Sequence, residues 1–454
     1  MKRQAIFVLA FVTAFVGNTA ARADSLASAL TSAYNNPGLL EQNRALLRAA
    51  DEDVAQSVAA TRPVIAWSAS ADRSGTNATG EWVRTNSATL SISGSLTLYD
   101  GGVNRLAIDA QKEVVLSTRQ TLRGIEQTVL LNAVQAYMAV VREREFVRLR
   151  ESNVRVITQE FRAAQDRFEV GEVTRTDVAL AEARLAAARS LLAAAQGSLA
   201  QSVESYRLAI GRAPGAVTAV SPAPVSQSVA EAKAFAVRNN PSVLEGQHSV
   251  AAAELSIRRA EATLKPTVTL DGFLATDEDS DESAQIGLSV GSTIYAGGQI
   301  SSQIRQLRAN RDASRAGLHL TQLSIEQEVG NAYASLQVAR ASRQASDQQI
   351  SAARVAFEGV REEATLGSRT TLDVLNAEQE LLDAEANRIS AQADEVIASY
   401  ALLSAMGLLT AEHLRLPVQQ YDPTEYYNLA KNAPTYDSEQ GEALDRVLEA
   451  LGRE

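Results

Sequence analysis

The sequence predicts an α+β membrane protein made of two tandem structural repeats, each combining long helices with one β-hairpin. Three observations carry this. The alternating stretch "SATLSISGSLTLYDGG" (87–102) returns 196 residues later as "SAQIGLSVGSTIYAGG" (283–298). Proline is missing between Pro63 and Pro214 and again between Pro266 and Pro417, which leaves room for long uninterrupted helices in both halves. The first residues read as an export signal, which sets the context in which those strands must be judged.

The elements follow in chain order. Lys2 and Arg3 precede the apolar run "AIFVLAFVTAFV" (5–16), and "ARA" (21–23) forms a small-residue cleavage site before Asp24. The run falls short of the roughly 20 residues that span a bilayer, so residues 1–23 read as a signal peptide that is removed. Less Lys2, Arg3 and Arg22, the 43 Lys+Arg face 54 Asp+Glu, a formal charge of −14, which argues against nucleic acid as a partner. There is no cysteine, hence no disulfide and no thiolate metal site.

The first repeat is read as 24–211, with its hairpin at 63–99. The second is read as 227–409, with its hairpin at 266–295. "NPGLLEQNRA" (36–45) and "NPSVLEGQHS" (240–249) open corresponding regions, and "VGEVTRTDVALAEARL" (170–185) pairs with "LGSRTTLDVLNAEQEL" (366–381). Internal duplication is the main organisational signal. Residues 212–226, with "RAPGAVTAVSPAP" at 212–224, form a linker, and 410–454 a tail.

Val103–Phe168 and Ile300–Thr365 each read as a helix of about 100 Å at 1.5 Å per residue. Each repeat is also expected to hold two shorter helices of roughly 36 residues, about 54 Å each. Val178, Leu185, Leu192, Leu199 and Tyr206 recur every seven residues, as do Leu375, Leu382, Ile389, Val396 and Leu403. That spacing favours left-handed coiled-coil packing. Charged runs such as "REREFVRLRE" (142–151) read as solvated helix faces.

The strands follow a period of two. Ala88, Leu90, Ile92, Gly94, Leu96 and Leu98 share one face; Thr89, Ser91, Ser93, Ser95, Thr97 and Tyr99 share the other. The copy puts Ala284, Ile286, Leu288, Val290 and Ile294 on the first face and Gln285, Gly287, Ser289, Gly291, Thr293 and Tyr295 on the second. An apolar-out, polar-in strand of about ten residues in an exported chain suits a transmembrane barrel. Four strands cannot close one, because the smallest barrels have about eight. Lipid does not tolerate open edges, so two or three chains must share a barrel. The tips "SGTNATGEWVRTN" (74–86) and "TDEDSDES" (276–283) read as solvated loops. Asp277, Asp279 and Asp281 imitate the start of a calcium loop, but Glu282 and Leu288 replace its glycine and its closing glutamate.

These residues carry a resemblance. Tandem halves, hairpins ending in "YDGG" and "YAGG", and the turns "VGEVTRTDV" and "LGSRTTLDVLNAEQ" resemble the TolC family of outer-membrane efflux proteins over essentially all of 24–417. The resemblance implies a homotrimer with a 12-stranded β-barrel in outer-membrane lipid, continued by a 12-helix α-barrel across the periplasm. It implies a passive export duct in a tripartite efflux or type I secretion system. The partners would be a periplasmic adaptor and an inner-membrane transporter; no cofactor is expected. By position, Arg369 resembles the gate arginine, Thr176 and Asp177 its partners, and Asp373 a member of an acidic ring in the lumen. Val170, Gly171, Leu366, Gly367 and Ser368 fall on the turns that dock the adaptor. Ala364 departs from an expected tyrosine, Asn376 from an expected acid, and Glu172 from an expected apolar residue. An enzyme is disfavoured, since His248, His319 and His413 lie well apart and no phosphate loop or nucleophile elbow stands out. A periplasmic coiled-coil structural or adaptor protein is the alternative; it accounts for the heptads but not for duplicated membrane-type strands.

Overall fold

The computed structural model describes residues 24–36, 38–77, 80–225, 227–435 and 437–451. The expected signal peptide, 1–23, lies outside the described residues. The first repeat contains helices α1 (Leu26–Asn35) and α2 (Leu39–Ala59), strands β1 (Val64–Asn77) and β2 (Trp82–Tyr99), and helices α3 (Val103–Glu169) and α4 (Arg175–Ile210). The second follows the same order: α5 (Val229–Asn239), α6 (Pro241–Ala262), β3 (Thr267–Asp277), β4 (Glu282–Gly291), α7 (Gln299–Thr365) and α8 (Thr371–Ala405). The tail adds α9 (Glu425–Ala430) and α10 (Glu439–Leu451).

The long helices α3 and α7 are each 67 residues, as the proline-free windows predict. The shorter ones need a correction. Only α4 and α8, of 36 and 35 residues, have the expected length; the other in each repeat is broken into two. At the second break the Asn240 side chain accepts from the Ser242 N–H at 2.9 Å, and Pro241 occupies the first helical position. Proline has no N–H to continue the preceding helix and is suited to starting the next.

The chain divides into two units, each drawing segments from both repeats. Met1–Ser32, Ala133–Ser221 and Gln349–Ala393 make the first; Ala33–Asn132, Pro222–Gln348 and Asp394–Glu454 make the second. In the described part of the first unit, Asp24 is an organising residue. Its carboxylate accepts from Tyr206 Oη (2.6 Å), Arg212 Nη2 (2.6 Å), Ser28 Oγ (3.0 Å) and the Gly215 N–H (3.2 Å). Its backbone carbonyl accepts from Tyr137 Oη at 2.6 Å. Burial raises the Asp24 pKa, but these donors outweigh it and hold the carboxyl below its ordinary value. In the second unit, Ala232, Ala236, Val243, Val329, Leu336, Leu402 and Met406 form one apolar cluster. Leu47, Ala50, Val54 and Val115 form another, against which Tyr421 and Tyr427 of the tail pack. The tail is further held by Tyr426 Oη donating to Glu52 Oε1 at 2.7 Å, and by Arg62 donating to the Ala433 carbonyl at 2.6 Å.

The second unit also carries the sheet, a single four-stranded antiparallel one in the order β1-β2-β3-β4. The two hairpins lie side by side because β2 pairs with β3, from Thr89↔Asp277 to Tyr99↔Val268. Directly paired residues share a face. The register therefore joins Ile65, Trp67, Leu90, Ile92, Leu96, Val268, Leu270, Leu274, Ile286, Leu288 and Val290 into one apolar face. Ser68, Ser91, Ser93, Ser95, Thr269, Asp271 and Ser289 lie on the other, with Phe273 among them. Ser68 and Ser91 hydroxyls meet at 2.8 Å, and Ser95 Oγ donates to Asp271 Oδ1 at 2.7 Å. β1 and β4 are the unpaired edges.

Three strand expectations change. β4 stops at Gly291, so Thr293, Ile294 and Tyr295 lie beyond the strand. Its last pair is Thr267↔Gly291, and β3 begins there, immediately after Pro266, so no partner strand remains. β2 continues to Tyr99 because β3 supports it, but the register shifts between Thr97 and Tyr99. Leu98 is the extra residue of a bulge, and Tyr99 stands opposite Val268 of the apolar face rather than on the polar one. Finally, β1 runs to Asn77 and β2 starts at Trp82, so much of the expected 74–86 loop is paired strand. At the other tip, Asp277 Oδ1 accepts from the N–H groups of Asp279 (3.1 Å) and Asp281 (2.8 Å), which folds the acidic loop on itself.

Candidate functional site

The turns after the two long helices repeat one construction atom by atom. Phe168 and Ala364 carbonyls accept from the N–H groups of Gly171 (3.0 Å) and Gly367 (3.1 Å). Arg167 and Glu363 carbonyls accept from those of Glu172 (2.9 Å) and Ser368 (3.0 Å). This nested pair ends a helix when the intervening residue is left-handed, and Gly171 and Gly367 have φ of 82° and 79°. Side chains other than glycine adopt that conformation at a cost.

The residue that caps the next helix comes three residues later, again in duplicate. Thr174 Oγ1 accepts from the Asp177 N–H (3.3 Å), while Asp177 Oδ2 accepts from the Thr174 N–H (2.9 Å) and hydroxyl (2.7 Å). Thr370 and Asp373 do the same at 3.3, 3.0 and 2.8 Å. These are reciprocal capping boxes. The Thr174 hydroxyl and N–H hold the Asp177 carboxyl below its usual range. The Thr370 N–H and hydroxyl do so for Asp373, with the Arg369 charge assisting. Both carboxylates are therefore ionised at neutral pH and placed by their own helix. The threonine-x-x-aspartate spacing in "TRTD" and "TTLD" signals this role, which the sequence reading did not assign.

Arg369 is exposed, and its Nε donates to Glu363 Oε2 at 2.8 Å. Within the chain it is thus engaged with the last turn of α7, while Asp177 is engaged with Thr174. Thr176 is exposed. Val170 and Leu366 project into solvent at corresponding positions, 72% and 84% exposed. Ser368 is also exposed, and its hydroxyl donates to the Glu363 carbonyl at 2.8 Å. Ala364, where the resemblance leads one to expect a tyrosine, is buried, 7% exposed. Asn376 Oδ1 accepts from Arg184 Nη2 at 3.4 Å.

Behind the turns, α3, α4 and α8 pack through Ile157, Leu185, Ala188 and Leu375. A carboxyl sits in this seam. Glu378 is buried, and its Oε1 accepts from Asn153 Nδ2 at 2.9 Å while Oε2 finds no donor among the described residues. Burial pushes its pKa up to about 7; the Asn153 hydrogen bond opposes this, the Glu160 charge adds to it, and Arg361 opposes it. The sequence reading missed Glu378, although its place three residues after Leu375 in the heptad seam is the signal that marks it.

Among the described residues no group of histidine and carboxylate side chains is arranged to hold a metal. His248 pairs with Glu113 at 2.8 Å. Among the described residues no helix is long and apolar enough to cross a membrane.

The sequence model of the outer membrane efflux protein family matches residues 30–212 and 235–408. The chain is 38% identical over 421 residues to the outer membrane efflux protein BepC of Brucella suis biovar 1, covering 91% of this chain and 92% of BepC. It is 24% identical over 358 residues to the outer membrane protein TolC of Escherichia coli, covering 73% and 72%. Among solved structures, the CmeC outer membrane channel of Campylobacter jejuni superposes with a TM-score of 0.75 at 16% identity, covering 90% of each chain. That last likeness shows the fold: mostly helical, in two repeats, with four strands.

Proposed function

The chain belongs to the outer membrane efflux protein family, and from that premise we infer how its sheet and its turns divide the work. It is an outer-membrane channel and not an enzyme: a passive duct for efflux or secretion. The observation that carries the finer reading is the sheet, whose apolar face is four strands wide and whose edges β1 and β4 are unpaired. Such a sheet is stable in lipid only when its edges are closed. Three chains close a barrel of twelve strands, continued by twelve helices as a tunnel through the periplasm. Processing before Asp24 belongs to the same reading.

The turns act as the gate. Each capping box engages Oδ2 of its aspartate, so Oδ1 of Asp177 is available to a guanidinium. Arg369, with Thr176 beside Asp177, supplies that link between neighbouring turns in the closed state and exchanges it for Glu363 when the turns part. Three copies of Asp373 around a narrow lumen favour cations. Val170 and Leu366, presented by Gly171, Gly367 and Ser368, form apolar contacts for a periplasmic adaptor, which couples the duct to an inner-membrane transporter.

Conductance in planar bilayers tests this. Small cation-preferring currents are expected from the wild type and larger ones from Arg369→Ala. Equal currents would move the gate elsewhere; no current from folded protein would sink the duct. Native mass spectrometry in detergent should give three chains, and a mass of two would replace twelve strands by eight. Single cysteines at Val170 and Ser368 should crosslink to a co-expressed adaptor, and silence from both would remove the turns from docking.

A further inference from the structure

A carboxyl that the gate reading does not use lies just behind the turns. Glu378 occupies a seam position of α8. Its neighbours one turn away on either side, Val374, Leu375, Leu381 and Leu382, are all apolar, and three of them are buried. The seam joins the α3–α4 hairpin to the α7–α8 hairpin: α3 supplies Ile157, α4 supplies Leu185 and Ala188, and α8 supplies Leu375. Across it, Glu378 Oε1 accepts from Asn153 Nδ2 at 2.9 Å. Its Oε2 is shut off from solvent and has no donor among the described residues.

The charges that act on this carboxyl do not neutralise it. Arg361 of α7 is half exposed and pairs with Glu160 of α3 at 3.7 Å. Arg184 of α4 goes to Asn376 Oδ1 at 3.4 Å. Such a site holds an acid far better than a carboxylate, because the ionised form leaves a charged oxygen buried without a partner. Burial accordingly raises the pKa from 4.5 to about 7; the Asn153 hydrogen bond opposes this, the Glu160 charge adds to it and Arg361 opposes it. The seam is also tied to the gate. Glu378 lies about 10 Å along α8 from Thr371. The Thr370–Asp373 capping box locks the turn that carries Arg369 to the start of the same helix. A movement of α8 away from α3 therefore carries Arg369 with it.

We propose that Glu378 is a proton-operated latch of the gate: protonated, it lets α8 stay packed on α3 with the turns closed; ionised, it draws water into the seam and releases α8. This inference rests on the gate reading of the turns. Parting the hairpins returns the carboxyl to water and to its ordinary pKa of 4.5. Between pH 4.5 and about 7 the closed state thus keeps a proton that the open state has lost. The opening equilibrium rises by up to about tenfold per pH unit across that window and levels off above it. Asp177 and Asp373 do not titrate there, since their carboxyls are held below 3.8.

The test reads planar-bilayer current and the spacing of α3 and α8 on the full chain between pH 4.5 and 8. The chain has no cysteine, so Ser152→Cys and Glu380→Cys, both at exposed positions, place a spin label on each helix. In the wild type, current and label separation should both rise from pH 4.5 to 7 and then level off. Glu378→Gln should keep the pH 4.5 values throughout, because an amide does not ionise. Asn153→Ala removes the donor that favours the charged form and should extend the rise to higher pH. A flat wild type, the same rise in Glu378→Gln, or an unmoved range in Asn153→Ala would overturn the latch while leaving the duct in place. A separation that follows pH without any current would support the latch and sink the duct reading instead.

Discussion

Asp51 should destabilise the protein it belongs to, and by an amount that depends on pH. It lies on the buried side of α2 with Leu47, Ala50 and Val54, is 0% exposed, and neither carboxylate oxygen has a donor among the described residues. Burial pushes its pKa from 3.8 up to about 7; the Arg119 charge opposes the shift and the Glu52 charge adds to it. The folded state therefore keeps a proton that the unfolded chain releases above pH 3.8. Stability falls as pH rises from there and levels off above pH 7. At 1.36 kcal/mol per unit, ionisation in the folded state costs on the order of 4 kcal/mol. Asp51→Asn keeps the shape and removes the charge, although its amide is also short of partners. Urea titrations read by far-UV circular dichroism should show a gain of about 2–4 kcal/mol at pH 8 that shrinks to about 1 kcal/mol or less at pH 4.5. An equal gain at both values, or a loss at pH 8, would refute the reasoning.

Asp24 has the opposite sign. Its pKa is held below the ordinary value, so its contribution is present at neutral pH and is lost on acidification through the folded pKa. Asp24→Ala leaves Arg212 and Tyr206 without their acceptor and should cost about 3–5 kcal/mol at pH 7, with the difference vanishing in acid. Gly367→Ala forces a side chain into a left-handed turn and should cost about 1–2 kcal/mol, read as faster proteolysis at 366–370. Glu378→Gln should be neutral below pH 5 and stabilising above pH 7, read by hydrogen exchange of residues 371–382 at matched pH.

How much of this was legible depends on how far each feature reaches along the chain. The 67-residue helices follow from local absence of proline, and the strand faces from a period of two, so both could be read directly. The pairing of β2 with β3 joins residues such as Ile92 and Leu274 that no local pattern connects. The bulge at Leu98 depends on that pairing, and the stop at Gly291 on the pairing of β4 with β3, which ends at Thr267↔Gly291. At the turns, the glycines were legible as turn formers. The capping role of Asp177 and Asp373 is marked by the threonine three residues earlier. The burial of Asp51, within "RAADEDVAQ", has no local signal, because the tail that packs over its neighbours arrives some 370 residues later.

The two open edges of the sheet have a genetic consequence. In the proposed three-chain barrel the ring would be only as sound as its weakest seam, each seam joining the β1 edge of one chain to the β4 edge of the next. A variant that breaks β1, such as proline at Ser68, would fold its helices, enter mixed rings and spoil each one. With equal expression of variant and wild type, only about one ring in eight would contain three sound chains. Such an allele would be dominant, poisoning export in cells that still make the normal protein.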